Sequence, residues 1–183
     1  SSDVCSSDLH TVTFPLSLIL LFFDFKVMDK SRIKIGIMSG RLSPQIDKQI
    51  QAFPVNSWRD EFKQAKECGF DAIEWIFDLY PNPILQNDGL KEMDSLSKKH
   101  DVVIAAVCAD YFMQKLLFNI TKSNLDQNLA TLRQLIQQCS KLGIPIIEIP
   151  FVDSSSLKAQ DNVEQMVENL QEIVDSATSQ NVK

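Results

Sequence analysis

The sequence has only two histidines among its 183 residues, and this scarcity limits the chemistry it can carry. His10 lies within residues 1–27, which we predict to be a non-native leader. His100 lies at the end of a predicted helix, where a cation suits the helix dipole. A Ser-His-Asp or Cys-His arrangement within residues 28–183 would have to use His100. The sequence therefore disfavours histidine-dependent nucleophilic catalysis, and it offers no histidine-containing metal site in this chain.

Glycine is also scarce, with five residues in the whole chain. The predicted first strand, residues 33–39, ends in the turn Ser39-Gly40-Arg41. A dinucleotide-binding turn would carry two further glycines after the first strand, so that the backbone can approach a pyrophosphate. The sequence therefore disfavours a nucleotide-binding, doubly wound sheet.

The chain has no run of basic residues and no C-x-x-C pair. Its formal net charge is −6, whereas binding to nucleic-acid phosphates needs a clustered basic face. We therefore expect no nucleic-acid partner. The four cysteines are widely spaced, which is typical of reduced thiols in a cytoplasmic protein and not of a disulfide framework or a zinc site. They are Cys5, Cys68, Cys108 and Cys139.

Residues 1–27 differ in character from the rest of the chain. The apolar run Phe14–Phe25 is short for a transmembrane helix, and an acid interrupts it. The first ten residues contain two acids and no Lys or Arg, whereas a signal peptide begins with a basic region. Cys5–Leu9 looks like translated sequencing-adapter DNA, and Met28 opens what looks like an ordinary bacterial start. We predict a non-native leader at 1–27 and one domain at 28–183, with no membrane association. A membrane anchor in the apolar run is the alternative.

From Met28 onward, strand and helix patterns alternate four times. Short apolar strands are followed by amphipathic helices whose apolar residues recur at helical spacing. Strict alternation of this kind predicts a parallel sheet with right-handed crossovers, either an open doubly wound sheet or part of a barrel. A (β/α)8 barrel needs about eight units, so four units predict half a barrel. The predicted strands are 33–39, 72–76, 102–108 and 144–150, and the predicted helices are about 58–68, 88–100, 124–142 and 161–177.

Polar residues lie at or near the carboxyl ends of all four predicted strands, where parallel α/β folds place their active sites. Glu74 and Glu148 lie inside apolar strands, where an ionised group is costly unless it is paired or faces a wet site. Arg41 follows the first strand and Asp110 follows the third. These four residues are the candidate substrate-binding residues. Alternatively, Arg41 bridges carboxylates at the rim, and Asp110 caps a backbone N–H.

Other polar and aromatic residues near these strand ends have simpler interpretations. Asp78 and Asp153 are typical of loop or helix N-cap positions. Tyr111 and Phe112 are more typical of packing at the rim than of stacking on a substrate. We do not count these four residues among the predicted site.

Five stretches, in consistent order and spacing, resemble the sugar-phosphate isomerase/epimerase family of xylose-isomerase-like barrels. The resemblance implies an α/β fold, a (β/α)8 TIM barrel, of which this chain holds about the first four βα units. It implies proton transfer through an enediolate on a ketose or aldose, or its phosphate, as the reaction. The stretches are G-I-M-S-G-R-L-S-P (36–44), I-Q-A-F-P (50–54), G-F-D-A-I-E-W-I-F-D (69–78), V-C-A-D-Y-F-M (107–113) and I-E-I-P-F-V-D (147–153).

The resemblance also implies a cofactor and a substrate class. Family members often use a divalent metal, here Mn²⁺, Mg²⁺ or Zn²⁺, whose Lewis acidity stabilises charge developing on substrate oxygens. Its ligands come from the fifth to eighth strands, so no metal ligand is assigned in this chain, and the acid/base residues are expected beyond Lys183. Arg41, Glu74, Asp110 and Glu148 match family positions at the floor and rim of the sugar pocket.

Two other functions remain open at this point. One is a barrel of the same superfamily that acts on abasic sites in DNA, which the acidic charge disfavours. The other is a non-catalytic barrel that binds a sugar or a partner protein. A half barrel leaves strand edges and an apolar face uncovered, so we also expect self-association and a homo-oligomer. We expect the isolated fragment to be inactive.

Overall fold

The strands form one parallel sheet in which neighbours in space are also neighbours in sequence. The computed structural model describes residues 34–49 and 51–183, so the predicted leader lies outside the described residues. Each strand pairs in parallel with the next one along the chain. The strands are β1 (Gly36–Met38), β2 (Ala72–Ile76), β3 (Val103–Cys108) and β4 (Ile147–Glu148).

A helix follows each strand, which confirms the predicted alternation of strands and helices. The first helix carries acids in its first turn and a lysine in its last, as the helix dipole favours. The long fourth helix is capped by the Thr121 side chain and ends at Gly143, which takes the left-handed conformation. The helices are α1 (Trp58–Glu67), α2 (Asn87–His100), α3 (Tyr111–Gln114), α4 (Lys122–Leu142) and α5 (Gln160–Ser179).

The structure differs from the predicted elements at three places. β1 is three residues long, Gly36–Met38, whereas the sequence predicts a strand over 33–39. The fourth strand is two residues long, whereas the apolar run 144–150 predicts seven. Pro145 and Pro150 have no N–H to donate to a sheet, so the apolar run is longer than the strand it can form. The turn after β3 continues directly into α3, a single helical turn that the sequence pattern does not reveal.

An aromatic cluster joins α1 to the sheet. Trp75 of β2 packs against Trp58 and Phe62 of α1 and against Phe53 of the preceding loop, with ring centroids 5.1 to 6.2 Å apart. All four rings are at most 3% exposed. The Trp75 indole N–H donates to Asn82 Oδ1 at 3.0 Å, so this buried polar atom is satisfied. The cluster fixes β2, and hence the carboxyl end of the sheet, against α1.

The sheet continues by one residue beyond β4. The Lys183 N–H donates to the Pro145 carbonyl, and the Ile147 N–H donates to the Lys183 carbonyl, both at 2.9 Å. These two bonds are the pattern of a parallel ladder.

On α5, Val167 and Val174 remain 55% and 56% exposed. No helix in the described part of the chain combines the length and the apolar character needed to cross a lipid bilayer.

Candidate functional site

A cavity of about 810 Å³ lies at the carboxyl ends of the strands. Its volume falls within the range of small-molecule sites. Strand residues from β1, β3 and β4 contribute to its wall, together with residues that follow all four strands. The lining residues are Met38, Gln49, Gln51, Asp78, Leu79, Tyr80, Cys108, Asp110, Met113, Gln114, Glu148, Pro150, Val152, Asp153 and Ser154.

Glu74 occupies the middle of β2 and pairs in register with Met38 of β1 and Ala106 of β3. It is partly buried, although both neighbours in its strand are fully buried. Burial raises the pKa of Glu74 above its usual range, and the negative charges of Glu148 and Asp110 raise it further. Three predicted site residues, from consecutive strands, are therefore electrostatically coupled.

Asp110 lines the cavity just beyond β3. One carboxylate oxygen accepts a hydrogen bond from Gln51 Nε2 at 2.6 Å, and the other accepts from the Cys108 thiol at 3.3 Å. Asp110 stands at the N-cap position of α3, yet its side chain makes no capping bond. The alternative interpretation of Asp110 as a simple cap is therefore wrong.

Cys108 is buried at the end of β3, beside the acidic groups. Burial raises the pKa of its thiol far above the usual range, and the charges of Asp110, Glu148 and Glu74 add to this. A thiol in such surroundings stays protonated and is a poor nucleophile. Cys108 therefore acts as a small buried side chain with a weak hydrogen-bond donor.

Glu148 is exposed at the end of β4 and lines the cavity. Asp153 lines the same wall and begins a short 3-10 helix, Asp153–Ser155, with a left-handed φ of +50°. Asp residues tolerate that conformation better than most. The two acids place negative charge on the β4 side of the cavity.

Asp78 organises the loops around the cavity, which agrees with its predicted role as a loop residue. Its carboxylate accepts the backbone N–H of Phe53 at 2.7 Å and of Tyr80 at 2.9 Å. Burial raises the pKa of Asp78, and these two hydrogen bonds oppose the rise. Asp78 thus ties the loop before α1 to the end of β2.

A smaller depression lies beside the cavity, along the loop that follows β1. Arg41 is exposed and lines this depression, whose volume is about 210 Å³, and Gln49 and Gln51 line both spaces. Ser39 is buried, and its hydroxyl accepts the Ile76 N–H at 2.9 Å. Asp110 and Glu148 thus line one cavity, and their charges raise the pKa of Glu74. Arg41 lies in the adjoining depression.

Glu61 is a structurally important residue that the sequence interpretation misses. It lies on α1 and is 2% exposed. Its carboxylate accepts the backbone N–H of Gly40 through both oxygens, and the backbone N–H groups of Leu42 and Ser43 and the Ser43 hydroxyl lie close enough to lower its pKa. Burial raises the pKa of Glu61, and these hydrogen bonds oppose the rise. Glu61 lies three residues after Trp58, which places it on the apolar face of α1. This position is the sequence feature that could have identified Glu61 as a buried acid.

Gln51 is the second residue that the interpretation misses, and no local pattern marks it.

The aromatic residues after β3 do match their predicted packing role. Tyr111 packs against Phe77 and Phe112, with ring centroids 5.2 Å apart in each case. Phe112 is 1% exposed. Both rings therefore belong to the rim's packing.

The described residues do not fit a divalent metal. Among residues 34–49 and 51–183, no group of three or more His, Cys, Asp or Glu side chains is arranged to hold one. A stable site normally needs at least three protein ligands or a bound substrate in addition. No catalytic step is therefore derived through a metal on these residues.

The sequence matches a protein family model described as "Xylose isomerase-like TIM barrel" over residues 62–183. The match begins within α1 and includes β2, β3 and β4, and so covers most of the cavity wall. A comparison with curated proteins finds no match.

Solved structures with a similar fold include three with different descriptions. D-psicose 3-epimerase from Clostridium cellulolyticum, solved with D-tagatose, has 16% identity and a TM-score of 0.60 over 82% of this chain. The IOLI protein with a zinc atom has 17% identity and a TM-score of 0.58, also over 82%. An AP endonuclease, family 2, from Brucella melitensis has 12% identity and a TM-score of 0.55 over 82%. At these identities the likeness shows the fold.

This chain spans about half the length of the structures that it matches. It covers 50% of the epimerase and of the zinc-containing protein, and 54% of the endonuclease. The predicted fold, a TIM barrel represented by about its first four βα units, is confirmed by the parallel sheet together with these matches.

Proposed function

This chain belongs to the xylose isomerase-like TIM barrel family, and on that premise we propose that the protein is a sugar isomerase or epimerase. The proposed reaction moves a proton at a carbon next to the carbonyl of a ketose or aldose, through an enediolate. It applies to the whole protein, since this chain spans about half the length of the similar structures. We expect the isolated 183-residue chain to bind sugar without turning it over.

One observation carries the proposal more than any other. Asp110, just beyond β3, and Glu148, on β4, line a cavity of about 810 Å³. Their negative charges raise the pKa of Glu74 on β2. Carboxylates accept hydrogen bonds from hydroxyl groups. Substrates of TIM-barrel enzymes bind at this end of the barrel. The arrangement is suited to hold a polyhydroxylated ligand.

The predicted substrate-binding residues take distinct roles in this proposal. Asp110, held by Gln51, and Glu148 accept hydrogen bonds from sugar hydroxyls. Glu74, whose pKa is raised mainly by burial, keeps its proton to higher pH than an exposed glutamate and can donate a hydrogen bond while protonated. Arg41 contacts the part of the ligand that reaches the adjoining depression.

The acid and base that exchange the proton are not assigned to residues of this chain. Enediolate chemistry needs a base and an acid on the reacting carbons, and a Lewis acid assists it. We expect the Mn²⁺, Mg²⁺ or Zn²⁺ implied by the family resemblance to use ligands outside the described residues.

A cytoplasmic location and a homo-oligomer stay predictions.

Two alternatives remain, and the structure bears on one of them. An abasic-site endonuclease must bind DNA phosphates with basic residues, and none of the described residues that line the cavity is Lys, Arg or His. That observation disfavours the endonuclease, although one of the similar structures carries that description. A non-catalytic sugar- or protein-binding barrel is compatible with the same cavity.

The direct test is hydrogen exchange during turnover by the protein expressed from its complete gene. The protein is incubated in D₂O with Mn²⁺ and a panel of ketoses and aldoses, free and phosphorylated. NMR detects deuterium at the carbon next to the carbonyl, and chromatography detects the new isomer. An isomerase or epimerase gives both signals with at least one sugar, because the enediolate takes its new proton from solvent.

The controls separate the alternatives. Glu148→Gln is expected to raise the KM for the sugar, while Glu168→Gln on α5, outside the cavity lining, leaves KM unchanged. Sugar binding without deuterium incorporation would favour the binding barrel. Cleavage of an abasic-site oligonucleotide would favour the endonuclease. Sugar binding or oligonucleotide cleavage without any deuterium incorporation into the sugar contradicts the proposed reaction.

A further inference from the structure

Gln51 connects the loop that precedes α1 to the wall of the cavity. It lines both the cavity and the adjoining depression. The backbone beside it is anchored independently, because Phe53 is fully buried and its N–H donates to the Asp78 carboxylate at 2.7 Å. The Gln51 side chain is therefore not needed to hold the loop, and its contacts point to another role.

The partner of Gln51 is Asp110, just beyond β3. Gln51 Nε2 donates to Asp110 Oδ2 at 2.6 Å, and the Cys108 thiol donates to Asp110 Oδ1 at 3.3 Å. Each carboxylate oxygen thus has its own donor, and the two donors come from different parts of the chain. The terminal torsion of an aspartate has a broad distribution, and donors at both oxygens oppose its rotation. Asp110 makes no capping bond to α3, so these two donors fix its orientation.

We infer that Gln51 is a positioning residue, which holds the Asp110 carboxylate in the orientation in which it lines the cavity. The inference rests on the proposed function, in which Asp110 accepts hydrogen bonds from the substrate. A ligand gains affinity when the groups that meet it are held beforehand, because less conformational freedom is lost on binding. A hydrogen bond to an ionised group is roughly twice as strong as one between neutral groups, so the short bond from Gln51 is suited to this role.

The chemistry of the amide favours orientation over direct contact with a ligand. An ionised carboxylate only accepts hydrogen bonds, so the NH₂ group of Gln51 must face Asp110. The same nitrogen lies 3.7 Å from the Cys108 sulfur, which is a weak acceptor. The two amide hydrogens are thus directed at Asp110 and Cys108. Gln51 therefore acts on a ligand chiefly through Asp110.

A purely structural role for Gln51 is the alternative. Loss of Gln51 would then disturb the loop, and its effect on the substrate would not depend on Asp110. A double-mutant cycle separates the two roles. A residue that acts through Asp110 has no further effect once the Asp110 carboxylate has been removed.

The first measurement is this cycle, on the protein expressed from its complete gene, with the sugar that gives deuterium exchange. Gln51→Met keeps the approximate size of the side chain and removes the donor. We expect it to raise KM about five- to tenfold, in the range of one hydrogen bond, with kcat nearly unchanged. Asp110→Ala should raise KM at least as much, and adding Gln51→Met to it should change KM no further. Gln134→Met on α4, which loses an exposed hydrogen bond to a backbone carbonyl, is the control and should leave KM unchanged.

Gln51→Glu is the second variant, and it keeps the inference testable if Gln51→Met does not fold. It has nearly the same size but places an acceptor with a negative charge beside the Asp110 carboxylate. It should therefore raise KM more than Gln51→Met. This additional effect should disappear in the Asp110→Ala background, where no like charge remains at that position.

Raman spectroscopy checks the orientation of Asp110 without any ligand. The S–H stretching band of Cys108, assigned as the band that Cys108→Ala removes, reports the strength of the hydrogen bond from this thiol. In Gln51→Met the band should shift towards the position of a weaker bond, because the carboxylate is no longer held beside the thiol. An unchanged band, or a shift towards a stronger bond, overturns the inference, because Asp110 would then keep its orientation without Gln51.

The outcomes separate this inference from the proposed function. If the wild type gives exchange, an unchanged KM in Gln51→Met overturns the inference and leaves the proposed function standing. Additive effects of Gln51→Met and Asp110→Ala on KM do the same. Absence of exchange with every sugar contradicts the proposed function, and the role of Gln51 towards a substrate is then contradicted as well, whatever the thiol band shows.

Discussion

The carboxylate of Glu61 on α1 receives the backbone N–H of Gly40 through both oxygens, at 2.8 and 2.9 Å. The two residues are 21 positions apart in the chain. The N–H groups of Leu42 and Ser43 also lie close enough to this carboxylate to lower its pKa. A buried acid thus fixes the loop that follows β1, and that loop carries Arg41.

We predict that Glu61→Gln lowers the free energy of unfolding by about 1–3 kcal/mol. The amide has one acceptor oxygen in place of two, and its NH₂ group would meet backbone N–H donors. Chemical denaturation followed by tryptophan fluorescence measures the change. Glu67→Gln, at the exposed end of the same helix, is the control and should change the stability little. An equal effect of both variants would mean that the loop does not depend on Glu61.

Gly40 and Gly69 form a matched pair for a second prediction. Both have a left-handed φ, +86° and +84°. A Cβ at Gly40 would lie 2.6 Å from the Ala52 carbonyl oxygen, whereas a Cβ at Gly69 would meet nothing within 4 Å. Gly69→Ala should cost about 1–2 kcal/mol of stability, the cost of the left-handed conformation alone. Gly40→Ala should cost more, because the backbone must also move. Equal unfolding midpoints for the two variants would contradict the close approach.

A third prediction concerns the titration of Glu74. Burial, and then the charges of Glu148 and Asp110, raise its pKa above the reference value of 4.5. In a ¹³C NMR titration, we expect the carboxyl resonance that Glu74→Gln removes to have a midpoint above 4.5. Glu148→Gln should lower that midpoint because it removes a like charge, and Glu168→Gln should not. A midpoint that ignores Glu148→Gln would mean that the two acids are not coupled.

The same group predicts a pH dependence of stability with a definite sign. Because the pKa of Glu74 is higher in the folded state, the folded protein binds the proton more tightly than the unfolded chain. The stabilisation from this group is complete below the unfolded pKa and is lost as the pH rises through the folded pKa. Glu74→Gln should therefore gain stability relative to the wild type as the pH increases over this range. A difference between the two proteins that does not change with pH would contradict the raised pKa.

A fourth prediction distinguishes the three cysteines within residues 34–49 and 51–183 by their reactivity. Cys68 is exposed, whereas Cys108 and Cys139 are buried. Burial raises the pKa of Cys139 to about 12 and that of Cys108 further. The thiolate is the reactive species, so iodoacetamide at pH 8 should modify Cys68 much faster than the other two. Peptide mapping by mass spectrometry measures the three rates, and denaturation should make them similar. Fast labelling of Cys108 in the native protein would contradict its buried, acidic surroundings.

Local sequence patterns predict much of the fold. The apolar stripe of Trp58, Phe62 and Ala65 predicts α1, and Gly143 marks the end of α4. The predicted bounds of β2 match the structure residue for residue. These predictions succeed because helical periodicity, strand alternation and glycine end signals are properties of short segments. β4 is shorter than predicted because a continuous apolar run does not show which of its residues find a hydrogen-bonding neighbour.

The candidate site is predicted in part, for a similar reason. Asp110 and Glu148 line one cavity because parallel strands bring their carboxyl ends to one edge of a sheet. Arg41, predicted with them, lies in the adjoining depression because the loop after β1 is fixed by Glu61. The contact between Gln51 and Asp110 joins residues 59 positions apart, and no local pattern could have indicated it.

Local sequence patterns are enough to predict the order of strands and helices, the parallel sheet and the concentration of acids at the carboxyl ends of the strands. These follow from short-range periodicity and from the limited ways in which alternating βα units can pack. The roles of the individual acids, as loop anchors or as cavity-lining groups, depend on the three-dimensional packing. The carboxylates of Asp78 and Glu61 accept backbone N–H groups and so hold loops, although Asp78 also lines the cavity. Glu148 lines the cavity from the exposed end of β4. That distinction depends on contacts between distant parts of the chain, because burial and hydrogen-bond partners are set by packing and not by residue type.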